Sequence, residues 1–366
     1  MTSTLWLTGA AGVGKSVTAW QAFLDAAEGS IAYVDVDQVG MLYPDVEHDQ
    51  FGFQLKNDAV RELLGNYAAA DVDVALISGV VDASPGDVGR HLRLPDLRYV
   101  LLTVNDAVLR ARILERGWEE ADADEVVAEQ VALLNVAIAD RAINTDGMTV
   151  GDVAQQVLDS VRHVADERGS SSADRRGRTG DNLDRQVVVI GARATGCSTI
   201  GFGLARASWS AGVRTGFADV DQLSFCRTVT RPSLRDLGLG LNNVVTLRTV
   251  FAAHGAERFV VNGHPRDARQ LDVLRHDHIN TLVVRLRASP DSIKRHIRSR
   301  LGGDGAARLI GDDLAGATPQ HQDEVRLAAL QEQALMDEAN VGDLVLDVDG
   351  SSVDELVAAI AAEAWQ

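Results

Sequence analysis

Short apolar runs alternate with longer stretches of helical spacing along the first half of the chain. Residues 5–8, 31–34, 74–77 and 99–104 form runs of strand length. Runs of this kind, separated by helical patterns, predict a parallel sheet covered by helices. Between the first two, Val17, Trp20, Phe23, Leu24 and Ala27 fall at i, i+3, i+4 and i+7 positions, so one buried helical face is expected, ending near Gly29. On this reading Trp20 and Phe23 belong to the core.

The alternation stops at residues 166–184, DERGSSSADRRGRTGDNLD, which are almost without apolar side chains and read as a flexible linker. It then restarts. VVVIGARATGCST (residues 187–199) repeats the opening strand and turn, with Gly191 and Gly196 standing where Gly9 and Gly14 stand. Asp35-Val-Asp37-Gln38 recurs as Asp219-Val-Asp221-Gln222, and Ser78-Gly79 recurs as Asn262-Gly263. LRARILERG (109–117) has its counterpart in IKRHIRSRL (293–301), with Arg116 matching Arg300. Asp146-Gly147 matches Asp349-Gly350 only after an insertion within residues 302–336, which we expect to enlarge a lid. The expected organisation is a domain at 1–165, a linker at 166–184 and a second domain at 185–366. Two copies indicate a duplicated domain, not a solenoid.

The candidate chemistry begins in the first turn. Residues 9–16, GAAGVGKS, match G-x-x-x-x-G-K-[ST] between an apolar run and a helical pattern, the setting a phosphate-binding loop requires. Gly9, Gly12 and Gly14 let the backbone fold into a nest of N–H groups at a helix N-terminus, which favours negative charge. The expected nucleotide contacts are Gly9, Gly12, Val13, Gly14, Lys15, Ser16 and Val17. Lys15 reaches the β- and γ-phosphates, and Ser16 places its hydroxyl on Mg²⁺. Only Lys15, Lys56 and Lys294 are lysines, so one of them inside such a turn is less easily incidental.

Asp35 and Asp37 follow the second apolar run, where ligands gather outside the carboxyl ends of parallel strands. One carboxylate can hold the metal while the other takes a proton from an acceptor hydroxyl. Gly79 follows the third run, where a substrate could approach the backbone closely. Arg110, Arg112 and Arg116 lie on a helix after the fourth, and an arginine closing over ATP would stabilise the transferring group.

Composition narrows the partners. The chain has 366 residues, 46% of them apolar, enough for two ordinary domains with real cores. A net charge of −18 argues against nucleic acid, which calls for clustered Lys and Arg. Cys197 and Cys226 are too few for a disulfide framework or metal cluster, and we expect buried reduced thiols. With neither an export leader nor an apolar stretch of membrane length, the expectation is a cytoplasmic protein without membrane contact.

The first half as a whole resembles the small-molecule P-loop kinases, a group that includes shikimate, gluconate and adenylylsulfate kinases. The likeness rests on GAAGVGKS, the pair Asp35 and Asp37, Ser78-Gly79, the segment from Arg110 to Arg116, and NTDGMTVGDVAQQVL (144–158). It implies an α/β fold of two tandem P-loop NTPase domains of the nucleoside-monophosphate-kinase kind, each a parallel sheet flanked by helices. It also implies ATP and Mg²⁺. In shikimate kinase the first Asp of such a pair assists the metal and the second binds the substrate hydroxyl, which suggests those roles for Asp35 and Asp37. Two departures, Ser78-Gly79-Val80 in place of a glycine triplet and no arginine directly after Asp37, point away from shikimate itself.

The second half keeps Gly191, Gly196, Ser198, Asp219 and Asp221 but has Cys197 in the place of Lys15. Losing that ammonium removes a charge-assisted contact to the transferring phosphoryl group. Gly201 and Gly203 should also weaken the following helix, each by about 1 kcal/mol relative to alanine. The expectation is a pseudo-kinase domain, in intramolecular contact with the first. The first domain would then transfer the γ-phosphoryl of ATP to a hydroxyl of a small metabolite through Lys15, Asp37, Arg110 and Arg116. A nucleotide-dependent switch acting on a partner protein, and a pair of nucleotide-binding modules without an acceptor, are the rival expectations.

Overall fold

The computed structural model describes residues 2–27, 29–84, 91–136, 138–166, 183–228, 233–265, 268–275, 279–301 and 310–366. Most of the expected linker, residues 167–182, lies outside them. The chain forms two compact units. One takes in Met1–Gly40, Asp49–Arg176 and Phe225–Asp236, the other Met41–His48, Gly177–Ser224 and Leu237–Gln366. The continuous halves expected from sequence therefore supply most of each unit but not all of either.

In the first unit the chain runs through β1 (Ser3–Thr8), α1 (Lys15–Asp25), β2 (Ile31–Asp35) and the single turn α2 (Val36–Val39). It leaves for β3 (Leu42–Tyr43), a strand of the second unit, and returns through α3 (Phe53–Ala69), β4 (Val74–Ser78) and β5 (Leu97–Thr103). Helices α4 (Asp106–Glu115) and α5 (Glu120–Val136), strand β6 (Arg141–Asn144) and helix α6 (Val150–Asp166) follow. The second unit has β7 (Arg185–Gly191), α7 (Cys197–Ser210) and β8 (Thr215–Asp219). Strand β9 (Cys226–Arg227) belongs to the first unit. Then come α8 (Leu237–Ala253), β10 (Arg258–Gly263), α9 (Ala268–Leu274), β11 (Asn280–Arg287), α10 (Pro290–Leu301), α11 (Pro319–Glu338), β12 (Leu344–Asp347) and α12 (Val353–Ala364).

The first sheet is ordered β6-β5-β1-β4-β2-β9 and the second β12-β11-β7-β10-β8-β3. All pairings are parallel except the last in each, β2 with β9 and β8 with β3. This order, with the loop-bearing strand β1 or β7 at the centre and the next strand two places away, is the P-loop kinase fold implied by the resemblance. The strand direction of travel reverses at β1 and β7, and the carboxyl ends there are where such sheets bind ligands. The four apolar runs became β1, β2, β4 and β5 because both faces of the central strands are covered; every side chain of β1 is buried.

The outer strands β9 and β3 come from chain segments that sequence reading left in the opposite domains. Cys226 and Arg227 pair with Ala32 and Ile31, and Leu42 and Tyr43 pair with Gly216 and Thr215. In the first unit the incoming segment also brings Phe225 into an aromatic cluster. Its ring lies 4.8 Å from Trp20 and 6.0 Å from Tyr33, while Trp20 stacks on Phe23 at 5.1 Å. Arg227 donates to Leu24 O at 3.1 Å and to Ala26 O, a cation on the C-terminal carbonyls of α1. Phe23 is thus a core residue, as expected, while Trp20 is half-buried at the margin of this cluster.

The buried face of α1 is not the one the spacing of large side chains predicted. Thr18, Ala19, Ala22 and Phe23 are buried, while Val17 is 55% exposed and the helix ends at Asp25. Small side chains at 19 and 22 let the helix lie close to the sheet, and a pattern weighted by large apolar residues misses them. Helix α7 forms through its two glycines for a similar reason. A Cβ at Gly201 would stand 3.1 Å from Asn262 Cβ, and one at Gly203 would stand 3.0 Å from Val357 Cγ2. Close packing on β10 and α12 offsets their low helix propensity. Cys197 and Cys226 are buried free thiols.

Candidate active site

The loop between β1 and α1 has left-handed backbone at Gly9 (φ 146°), Gly12 (80°) and Gly14 (106°), and α1 starts directly at Lys15. A Cβ at Gly9 would stand 2.5 Å from the Leu102 carbonyl oxygen, so only glycine lets the loop leave β1 here. Lys15 folds back over the loop, its Nζ donating to Gly9 O at 2.8 Å and Ala10 O at 2.9 Å. Val13 N turns to Ala10 O at 3.4 Å, and Val17 points its side chain outward. Burial lowers the Lys15 pKa, opposed by the charges of Glu129, Asp37 and Asp35 and reinforced by Arg116.

Asp35 ends β2 and Ser78 ends β4, in register on neighbouring strands. Ser16 Oγ, on the first turn of α1, donates to Asp35 Oδ2 at 2.7 Å, and Ser78 Oγ donates to the same oxygen at 2.9 Å. Tyr33 OH lies 3.1 Å from Ser78 Oγ. Asp35 Oδ1 accepts from Asp37 N at 3.0 Å, which caps α2 and fixes the carboxyl plane. Burial first, then the Asp37 charge, raises the Asp35 pKa against these hydrogen bonds. A buried carboxylate beside a serine hydroxyl is a hard-oxygen donor set suited to Mg²⁺, which takes one or two protein ligands and completes its shell with phosphate and water. No larger cluster of His, Cys, Asp and Glu that could hold a metal occurs among the described residues.

Asp37 is 70% exposed and its Oδ1 lies 3.5 Å from Lys56 Nζ on α3. Lys56 was visible in the sequence only as one of three lysines. Gly79, expected to admit substrate, is occupied from inside the fold: a Cβ there would stand 1.7 Å from Val36 Cγ2. The close approach is between the end of β4 and α2, and it sets the position of the Asp35–Asp37 turn. The three arginines divide. Arg110 is paired with Glu120 at 2.5 Å and with Asp124, both on α5. Arg112 donates to Val13 O at 3.4 Å, and Arg116, at the C-cap of α4, lies near enough to depress Lys15. Of the two arginines named as catalytic, the structure brings Arg116 toward the loop and engages Arg110 elsewhere.

Glu129 was not anticipated. Gln130 clamps α5 to the end of β5 through Val104, donating to its O at 2.9 Å and accepting from its N at 3.1 Å. The preceding residue, Glu129, then reaches the loop, where its Oε2 accepts from Ala11 N at 3.3 Å. A carboxylate therefore sits at a backbone N–H of the glycine loop.

The second unit repeats much of this. Gln333 clamps α11 to Ala288 N and O at 3.0 and 3.1 Å, and Asp349 accepts from Ser289 N as Asp146 does from Asn105 N. Asp219 and Asn262 are in register at the ends of β8 and β10. Asn262 Nδ2 donates to Asp219 Oδ2 at 2.8 Å and to Ser198 Oγ at 3.2 Å, and Ser198 Oγ donates to Asp219 Oδ2 at 3.3 Å. Gly196 keeps a left-handed φ of 97°, and Ala194 takes φ 62° where Gly12 stands in the first loop. Cys197 is 2% exposed and packs with Val187, Val189 and Leu286. Burial pushes its thiol up to about 12, so it supplies no charge. Asp221 lies 3.5 Å from His264 Nε2.

No protein-family model and no curated protein matches the chain. Solved structures similar to part of it include a tunicamycin resistance protein from Deinococcus radiodurans, 19% identical over 44% of this chain and 96% of that one, with TM-score 0.32. A sugar kinase from Janibacter sp. HTCC2649 is 20% identical over 49% of this chain and 93% of that one, with TM-score 0.34. Shikimate kinase from Bacteroides thetaiotaomicron is 16% identical over 50% of this chain and 99% of that one, also at 0.34. No helix among the described residues is long and apolar enough to cross a membrane.

Proposed function

We propose that the first unit is a small-molecule kinase that moves the γ-phosphoryl of ATP to a hydroxyl group, with Mg²⁺. The observation that carries this reading is the convergence of a lysine-bearing glycine loop with Ser16, Asp35 and Asp37 at the carboxyl ends of β1, β2 and β4. Mg²⁺, when bound, neutralises charge on the phosphate oxygens. Ser16 and Asp35 are the residues to hold it. Lys15 swings from the Gly9 and Ala10 carbonyls to the phosphate chain, and Arg116, with Arg112 beside it, adds positive charge at the transferring group. The acceptor oxygen attacks γ-phosphorus as the bond to the bridging β-oxygen breaks. Asp37 accepts the hydroxyl proton, and ADP leaves. Lys56 holds Asp37 in place until the acceptor arrives.

The second unit, with Cys197 turned into its core, is read as a duplicated copy that performs no transfer. The protein is read as cytoplasmic, without nucleic acid or membrane partners. Its metabolite acceptor is of a class carrying a free hydroxyl.

The roles of the two carboxylates can be separated. Asp35→Asn should raise the Mg²⁺ concentration needed for half-maximal rate by about tenfold. Asp37→Asn should lower kcat by roughly a hundredfold while ATP affinity stays within about twofold, since a proton acceptor acts in the transition state. The same loss of ATP binding in both variants, with no separate effect on metal or turnover, would overturn the assignment.

A further inference from the structure

The carboxylate assigned to Mg²⁺ in the first unit is backed by a chain of hydroxyls. Asp35 Oδ2 accepts from Ser78 Oγ at 2.9 Å, and Ser78 in turn lies 3.1 Å from the hydroxyl of Tyr33. A serine hydroxyl has one proton. Since the carboxylate takes it, the donor in the second contact is the Tyr33 phenol. Burial first, then the Asp35 charge, raises the phenol's pKa, so it keeps its proton. The three side chains form one polarised series, Tyr33 to Ser78 to Asp35, in which each O–H strengthens the next. Tyr33 is 3.5 Å from Asp35 Oδ2 itself, too far for more than a weak bond, so its effect passes through Ser78. Ser78 is fully buried and Tyr33 is 2% exposed, so solvent does not reach the pair to replace the phenol.

The second unit supplies an internal comparison. Phe217 stands two residues before Asp219 as Tyr33 stands two before Asp35, and Asn262 pairs with Asp219 across the strands as Ser78 pairs with Asp35. Both hydroxyls are gone together. The Asn262 amide brings its own two N–H groups, donating to Asp219 Oδ2 and Ser198 Oγ, and needs no donor behind it. An N–H aimed at both oxygens opposes a cation there, whereas a hydroxyl can turn to present a lone pair. Packing does not call for the phenol oxygen either. The Tyr33 ring lies among Trp20, Phe23 and Phe225 at centroid distances of 5.8, 6.3 and 6.0 Å, contacts that phenylalanine would keep.

We propose that Tyr33 is a positioning residue for the divalent cation: acting through Ser78, its hydroxyl holds the Asp35 carboxylate in the orientation that a cation at Ser16 and Asp35 requires, and so sets the cation's affinity. This rests on the reading of Ser16 and Asp35 as the residues that hold Mg²⁺. A group one step behind a metal ligand fixes that ligand's orientation and basicity, and its loss weakens metal binding by about tenfold or more.

Calorimetry on the full chain measures the affinity for a non-hydrolysable ATP analogue in EDTA and at saturating Mg²⁺, and the ratio of the two reads the metal's contribution. Tyr33→Phe should lower that ratio by about tenfold while affinity in EDTA stays within about twofold. Ser78→Ala should lower it at least as far. Adding Tyr33→Phe to Ser78→Ala should lower it no further, because the phenol acts through the serine. An unchanged ratio in Tyr33→Phe, an equal loss of affinity in EDTA, or full additivity of the two substitutions would overturn the proposal. Asp35→Asn keeps the two readings apart. If it lowers the ratio and Tyr33→Phe does not, the metal site stands and the role of Tyr33 falls. If Asp35→Asn leaves the ratio unchanged, the metal site falls and the proposal with it.

Discussion

Two opposed effects set the charge state at Lys15: burial strips water from the ammonium, and the carboxylates of Glu129, Asp37 and Asp35 restore its favour for the proton. Glu129 does a second thing, because its carboxylate accepts from Ala11 N and so places a negative charge against the glycine loop. An anion entering the loop would therefore meet a like charge. Glu129→Gln should tighten ATP binding by about fivefold, roughly 1 kcal/mol, as measured by calorimetry at fixed Mg²⁺. Unchanged or weaker binding would show that Glu129 does not compete with ligand. The sequence carried no sign of this residue. It stands in an acid-rich helix, and its aim depends on Gln130 gripping Val104 across the fold. Lys56 was more accessible to reasoning, since a chain with three lysines invites the question of what each one does. Its partner, Asp37, was in hand; the turn of α3 that joins them was not.

Elements of the centre of each sheet were readable and those of the edge were not, for a physical reason. A strand buried on both faces must be apolar throughout, and β1, β2, β4 and β5 announce themselves in that way. Strands β3 and β9 have two residues each, too short to carry a period, and exist because a sheet edge elsewhere accepts their backbone groups. Close approaches between elements are equally hidden. Gly79 against Val36 recurs as Gly263 against Val220, where a Cβ would stand 2.7 Å from Val220 Cβ. These contacts seat the turns bearing Asp37 and Asp221. Gly79→Ala should destabilise the protein by at least about 2 kcal/mol in chemical denaturation, since Val36 has no room to yield and the backbone at 79 is left-handed. A loss within about 0.5 kcal/mol would mean that the turn is free to shift.

At the scale of the whole molecule, motifs recur along the chain in constant order, and the two sheets have corresponding strand orders. What the sequence hid is that neither continuous half holds a full sheet: residues 41–48 complete the second unit and residues 225–236 the first. Each exchanged segment follows its Asp-x-Asp turn within a few residues, so the function of either half is properly measured in the entire chain. The central claim is that the first unit transfers phosphoryl to a small molecule. Its most direct test is to incubate the full-length protein with ATP, Mg²⁺ and fractionated pools of hydroxyl-bearing metabolites, and to follow by mass spectrometry the gain of one phosphoryl group, beside Lys15→Ala. The account predicts a phosphorylated product formed in step with ADP, and a rate at least about a hundredfold lower in Lys15→Ala. ADP release that no acceptor fraction accelerates, or product formed by Lys15→Ala at the unmodified rate, would contradict it.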